Sequence, residues 1–196
     1  MKAPDYELIS KQLEILVKLL VNSERFEHIY GVVDFCERLA KRYSMDMDKL
    51  KVMALAHDLF RDIDGSKLKK MAKCYGINLT TLLDKKPILL HGLVSAEYLR
   101  KRFGVQDTDI LLGVAYHTSG HPEFGIYSKV LVLADSLEFT RLYDKVNQLR
   151  ELAFFDIDLA FKEVIKNKIT YALSFNLYVL PSTLETWNKL VEEEEK

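Results

Sequence analysis

Apolar residues recur at three- and four-residue intervals along almost the whole chain, and no run of alternating β-branched residues bounded by turn signals interrupts them. A strand shows each face every second residue, whereas a helix returns to one face every third or fourth, so this pattern points away from any sheet architecture. The expected fold class is all-α. The spacing predicts helices over 5–21, 24–43, 46–60, 66–75, 87–103, 107–117, 126–139, 145–154, 157–178 and 182–193. Punctuation agrees with it: Ser23, Asp46 and Ser182 stand at helix starts, Pro87 suits a first turn, and Gly76 and Gly104 follow helix ends. No linker, repeat or shift in composition divides the chain, and one unit spanning 1–196 is expected.

With 48% hydrophobic residues, 29% charged residues and a formal net charge of -1, the sequence falls in the globular class. That balance argues against nucleic acid as a partner. No apolar run approaches the roughly 20 residues of a membrane helix. The first residues carry charges throughout without a cleavage-site pattern, so no signal peptide is expected. Cys36 and Cys74 lie in separate helical segments without CxxC spacing, which suggests neither a disulfide framework nor a thiolate zinc site. A cytoplasmic location is the simplest reading.

The stretch "ALAHDLFRD", residues 54–62, embeds His57 and Asp58 in an apolar, helix-forming run. Burying that pair is costly unless a neighbouring side chain or a metal ion compensates. The chain has five histidines, and His28, His57, His91 and His117 each lie in or at the end of a different apolar helix. A single buried histidine is ordinarily a core residue bonded to a carbonyl. Four of them, together with the embedded Asp58 and Asp135, form instead the donor set of a first-row transition metal. Asp135, in "KVLVLADSLEF", points along an apolar helix face, and Arg141 is its alternative partner. Asp58 has two oxygens and can bridge two ions: His28, His57, Asp58 and Asp135 make one set, and His91 and His117 complete a second by sharing Asp58. Two ions about 3.5–4 Å apart can hold a hydroxide for in-line attack on phosphorus, which makes phosphoester or phosphoanhydride hydrolysis the natural chemistry.

The ordered segments "ERFEHIYGVVDFCERLAKRY", "ALAHDLFRD", "LLHGLVSAEYL", "GVQDTDILLGVAYHTSG" and "KVLVLADSLEFTR" resemble the HD-domain metal phosphohydrolases. Within them they resemble the bacterial YqeK-like symmetrical bis(5'-nucleosyl)-tetraphosphatases, over about residues 24–191. The resemblance implies an N-terminal helix over 1–22, a metal-binding core over 24–142 and C-terminal helices over 145–196 packed on it. It implies two divalent transition-metal ions, typically iron, with manganese, cobalt or zinc as alternatives, and cleavage of diadenosine tetraphosphate into two ADP. The implied ligands are His28, His57, Asp58, His91, His117 and Asp135, the same six that the residue types select.

Charges around these ligands are candidates for the polyphosphate. Arg61, one turn beyond His57, and Arg141 are expected to stabilise transition-state charge alongside Asp58, while Arg25 and Lys129 are further phosphate candidates. The loop "HTSGHPEFG", residues 117–125, offers Thr118, Ser119, Gly120 and His121 to a substrate. Glu138 is expected to orient a ligand histidine from behind. Three stretches depart from the family's pattern. Arg61 replaces its usual lysine, His121-Pro122-Glu123 replaces Arg-Pro-Gly, and Ser136-Leu137-Glu138-Phe139 replaces Tyr-Ile-Glu-Pro. These changes leave another nucleotide, a monoester or a cyclic dinucleotide, as an alternative substrate, and a non-catalytic nucleotide-binding module as an alternative role. Tyr171, Phe175 and Tyr178 follow helical spacing and are expected to pack in the core, and Trp187 is expected either to cover the core or to form a homodimer contact.

Overall fold

The structure, a computed structural model, describes residues 4–195. These residues form eleven α-helices and contain no strand. The helices are α1 (Tyr6–Leu20), α2 (Ser23–Tyr43), α3 (Met47–His57), α4 (Gly65–Tyr75), α5 (Thr81–Lys85), α6 (Leu90–Phe103), α7 (Thr108–Tyr116), α8 (Ile126–Leu137), α9 (Val146–Phe155), α10 (Ile157–Ser174) and α11 (Pro181–Glu194), with a 3-10 turn at Pro87–Leu89 leading into α6. The five-residue α5 was not expected, since a single turn carries no periodic stripe. None of these helices is long and apolar enough to cross a membrane.

The helices begin and end where local chemistry satisfies their free backbone groups. Asp46 accepts from the amides of Asp48 and Lys49 at the start of α3, and Asp107 accepts from Asp109 and Ile110 at the start of α7. For α2 the cap is Asn22, which accepts from Arg25, so Ser23 becomes the first helical residue. Leu180 rather than Ser182 precedes α11, because Pro181 fits its first turn with no amide to satisfy. Gly76 and Gly104 close α4 and α6 in the left-handed conformation, as expected.

The short α3 lies at the centre. It packs against α1, α2, α6, α7 and α8, and Leu50, Val52, Met53 and Leu55 are fully enclosed. Those four side chains contribute roughly 6–12 kcal/mol of apolar burial, which makes the end of α3 a rigid place to hold a charge. Helix α8 is the second buried rod, with Val130, Leu131, Val132, Leu133, Ala134 and Leu137 inside. It packs on α2, α3, α7, α9 and α10. Both aspartates of interest therefore sit at the ends of buried helices, where the chain can turn a polar group inward without breaking the apolar packing.

Two expectations need correction. Helix α3 stops at His57, before residue 60, because Asp58 takes a non-helical C-cap conformation with φ -110° and ψ 14°. Helix α10 stops at Ser174, and Tyr171, Phe175 and Tyr178 are exposed by 59%, 62% and 56% rather than packed in the core. The inner stripe of α10 is Ile157, Phe161 and Val164. Tyr171 and Phe175 continue that stripe beyond the reach of the core. Trp187 is partly buried against the core, and the Lys162 ammonium lies 5.7 Å from its ring centroid.

Candidate metal centre

Five helices deliver one polar side chain or more each to a common point. His28 projects from the middle of α2, beside the buried Ile29 and Val32. His57 ends α3 and Asp58 caps it, His91 is the second residue of α6, His117 caps α7, and Asp135 lies two residues before the end of α8. All four histidines and Asp58 are buried.

The backbone fixes the tautomers. The Nδ1 atoms of His57, His91 and His117 meet the carbonyl oxygens of Ala54, Ile88 and Val114 at 2.7, 2.5 and 2.9 Å. A carbonyl only accepts, so each Nδ1 carries the proton and each Nε2 presents a lone pair. The core-histidine arrangement and the ligand arrangement are thus the same arrangement: the carbonyl bond aims Nε2 at the centre. His91 Nε2 and His117 Nε2 face each other at 3.1 Å, and His57 Nε2 faces His28 Nε2 at 3.3 Å. The facing lone pairs of His91 and His117 repel, and a shared cation resolves the conflict.

Asp58 lies between the two histidine pairs. Its Oδ2 is 3.9 Å from His28 Nε2 and 3.8 Å from His57 Nε2, while its Oδ1 is 3.1 Å from His91 Nε2 and 3.4 Å from His117 Nε2. Ligand atoms of His28, His57 and Asp58 lie within 4.8 Å of one another, as do those of Asp58, His91 and His117. These are two groups of three sharing one carboxylate. Asp135 flanks the first group, with Oδ1 3.2 Å from His28 Nε2 and 4.0 Å from His57 Nε2. Neutral imidazoles with carboxylates fit first-row divalent cations.

The electrostatics favour that protonation pattern. Burial pushes His57 down to about 4 and lowers His91 as well, so both rings are neutral at pH 7. Burial alone would raise the Asp58 carboxyl, but His57, His117 and His91 outweigh it and hold the group well below the usual carboxylate range. Asp135 is likewise held low against its burial, by His28, Lys168 and His57. His28 differs: burial opposes its charge, yet the bonds to Asp135 and Glu138 carry it up to about 8.

Glu138 stands behind His28. Its Oε1 lies 3.1 Å from His28 Nδ1 and accepts from the Thr140 hydroxyl at 2.6 Å, while Oε2 accepts from the Thr140 amide at 2.7 Å. The carboxylate is fully enclosed, and it fits only because residue 31 is glycine: a Cβ there would lie 2.6 Å from Oε2. Neither Thr140 nor Gly31 was legible as part of the site, since each acts through Glu138 rather than on the centre.

The basic and loop candidates divide. Arg141 is at the centre, its Nη2 donating to Asp135 Oδ1 at 3.0 Å and lying 3.3 Å from His28 Nε2. Thr118 is there too, its Oγ1 3.2 Å from His117 Nε2. Arg25 is held by carboxylates, donating to Asp58 Oδ2 at 2.6 Å with Nε 3.7 Å from Asp62 Oδ1. Arg61 follows the end of α3 in a turn and forms no side-chain hydrogen bond or ion pair among the described residues. Lys129 turns away and pairs with Asp158 at 2.7 Å. The Ser119 hydroxyl donates to the Gly120 carbonyl at 3.0 Å, and Gly120, at φ +82°, packs against Ile165 and Thr186. His121 stacks on Tyr116 with ring centroids 4.8 Å apart, and Glu123 accepts from Lys189 at 3.1 Å. The residues 119–123 thus fasten the loop to α10 and α11 and lie off the centre.

Beside Asp135 opens a cavity of about 670 Å³, lined by Thr118, Ser136, Arg141, Tyr143, Lys145 and Lys168 among others. Tyr171 and Phe175 on its α10 side were expected in the core because they share the spacing of an ordinary buried stripe.

Comparison with known proteins agrees with this geometry. The HD domain pattern matches residues 25–140. The symmetrical bis(5'-nucleosyl)-tetraphosphatase of Bacillus subtilis is 34% identical over 89% of this chain and 94% of its own length. That of Halalkalibacterium halodurans is 31% identical over 91% and 95%. A solved structure from Clostridium acetobutylicum, described as a predicted HD superfamily hydrolase involved in NAD metabolism, superposes with a TM-score of 0.85 at 27% identity, over 96% of this chain and 98% of that one. The chain belongs to the HD-domain family, on the branch that holds the symmetrical bis(5'-nucleosyl)-tetraphosphatases.

Proposed function

We propose that this chain, acting as one unit over 1–196, hydrolyses diadenosine tetraphosphate and related dinucleoside polyphosphates symmetrically, releasing two ADP. The observation that carries the reading is Asp58, whose two oxygens turn to two different histidine pairs beside a cavity of nucleotide size. His28, His57, Asp58 and Asp135 would hold one divalent cation, and Asp58, His91 and His117 a second. Such a pair supplies Lewis-acid neutralisation of phosphate oxygens and lowers the pKa of water. Iron is the metal this reading adopts from the family, and manganese, cobalt or zinc suit the same donors.

The remaining work falls to the protein's own groups. The carbonyl-bonded Nδ1 atoms keep the Nε2 atoms of His57, His91 and His117 aimed at the centre, and Glu138 orients His28 in the same way. Arg141 is 39% exposed at its side chain, so its planar fork can exchange Asp135 for a phosphate oxygen at the cavity mouth. Thr118 offers a hydroxyl on the same side. Arg25 and Asp62 brace Asp58 from behind, which makes Arg25 a positioning residue in this reading. Arg61 has no internal partner to give up, and a long polyphosphate tail is the anion it would meet. Cys36 and Cys74 are both unpaired, in keeping with a reducing, cytoplasmic setting.

Protein reconstituted with iron or manganese is expected to convert diadenosine tetraphosphate to ADP as the sole nucleotide product, resolved by anion-exchange chromatography. Release of AMP with ATP, or inertness toward this substrate with turnover of a monoester or cyclic dinucleotide, would overturn the assignment.

A further inference from the structure

The wall of the 670 Å³ cavity contributed by α10 has no part in the metal centre, yet it is not an ordinary surface. Lys168 and Tyr171 lie three residues apart on α10, Phe175 follows four residues on at its C-cap, and all three line the cavity. The rings of Tyr171 and Phe175 lie against each other, with centroids 4.7 Å apart and planes at 42°, although both remain more than half exposed. Each exposed ring offers a face on which a nucleobase can stack, and every base has a π-face to offer in return.

Cations share the cavity with this pair. Arg141, Lys145 and Lys168 line the cavity against the carboxylates of Asp135 and Asp144, and Asp135 is already engaged by His28 and Arg141. Neither Lys145 nor Lys168 forms a hydrogen bond or a close ion pair among the described residues, and Lys168 interacts with the Asp135 carboxylate only at longer range. Lys145 also holds a left-handed backbone, φ +64°, at the start of α9, a conformation that a non-glycine residue seldom keeps without support from its surroundings. The Ser136 hydroxyl, on α8 and lining the same cavity, is buried without a partner. Lys168 is coupled electrostatically to Asp135, and Tyr171 and Phe175 follow it along the chain away from that carboxylate, which suits the order of a nucleotide: reacting phosphate, outer phosphates, base.

We propose that this wall is a nucleoside diphosphate half-site, in which Lys168 and Lys145 receive the phosphate oxygens and the Tyr171–Phe175 pair stacks the base. The inference deepens the function proposed above and rests on it for the reaction, but binding of the half-substrate can be measured without turnover. Calorimetric titration of metal-loaded protein with ADP, and with inorganic pyrophosphate as a base-free probe, separates the parts. Replacing both Tyr171→Ala and Phe175→Ala is expected to weaken ADP about tenfold or more while leaving pyrophosphate within about twofold. Lys168→Met is expected to weaken both ligands by about tenfold, with Lys168→Arg restoring much of the loss. The aromatic residues are exposed, so their removal leaves the fold intact, which thermal unfolding of the variant checks. ADP binding undiminished in the aromatic variant, or loss of pyrophosphate in equal measure, would overturn the half-site. A protein that shows the expected binding pattern but fails to split diadenosine tetraphosphate keeps the half-site and loses the reaction. One that splits it symmetrically while the aromatic variant binds ADP normally keeps the reaction and loses the half-site.

Discussion

Replacing Asp58 with asparagine is expected to lower kcat/KM for diadenosine tetraphosphate by at least about a thousandfold and to reduce tightly held metal below one equivalent. The substitution keeps the shape of the side chain, so packing at the end of α3 survives. What it removes is the negative charge that both histidine groups share, the oxygens at 3.8 Å from His57 and 3.1 Å from His91. An asparagine also presents an amide NH2 to one of those groups, a donor facing a site that requires acceptors. The Arg25 guanidinium, 2.6 Å from Asp58 Oδ2, loses its carboxylate and leaves a cation at the rim of the centre. All three consequences repel a divalent ion. Metal analysis of the purified variant, beside a steady-state assay, checks the expectation. Retention of two equivalents with near-normal turnover would show that Asp58 is not the shared ligand.

The second large effect lies outside the donor set. Gly92→Ala is expected to cost about 1–3 kcal/mol of stability and to weaken metal uptake about 10–100-fold. A Cβ at this position would lie 2.7 Å from the Ala115 carbonyl oxygen and 2.8 Å from that of Val114. Both are backbone atoms of α7, which cannot rotate aside as a side chain would. The helices α6 and α7 must separate instead, and they carry His91 and His117, whose Nε2 atoms now stand 3.1 Å apart. The contact thus couples a packing fault to a binding fault. Gly76→Ala supplies the contrast. That residue has φ +77° with no atom within 4 Å of an added Cβ, so the change strains the backbone by about 1–2 kcal/mol far from the centre. Denaturant unfolding is expected to show both variants destabilised, and manganese titration only the first impaired. Normal metal uptake by Gly92→Ala would show that the close crossing does not set the histidine spacing.

The sequence carried the helices well and the centre better, for different reasons. Helical periodicity is a local signal, and the buried stripes of α2, α3 and α8 lie where that signal put them. The polar groups were legible because burial makes them expensive: His57, Asp58 and Asp135 stand out as residues that nothing apolar would tolerate unaided. What stayed hidden depends on contacts between distant segments. Glu138 was visible beside Asp135, but Gly31 is more than a hundred residues away and matters only through the space it leaves for that carboxylate. The loop residues 119–123 looked available for phosphate because their types suit it, and the structure spends them on α10 and α11. Lys129 shares a helix with Asp135, yet its pairing with Asp158 was decided by α10, which spacing along α8 cannot report. Conversely, Tyr171 and Phe175 carry the spacing of a core stripe, and only the end of the core beneath them reveals that the stripe runs on over a cavity.

The departures from the family's pattern acquire a physical place in this fold. His121-Pro122-Glu123 sits where the loop meets α11, with Glu123 paired to Lys189, so the exchange of an arginine there changes how the loop is fastened. Phe139 packs against Phe35 at 5.7 Å and lies under the Arg38 guanidinium at 4.6 Å, occupying with an aromatic ring the position of the family's proline. Ser136 opens onto the cavity and leaves it wider than a tyrosine would.

Six side chains from five helices are proposed to close around two divalent cations that share Asp58. Titration of chelator-stripped protein with manganese, followed by electron paramagnetic resonance, tests this arrangement most directly. The account predicts two equivalents bound and a spectrum of two magnetically coupled ions. A single isolated ion at saturation, or none, would contradict it.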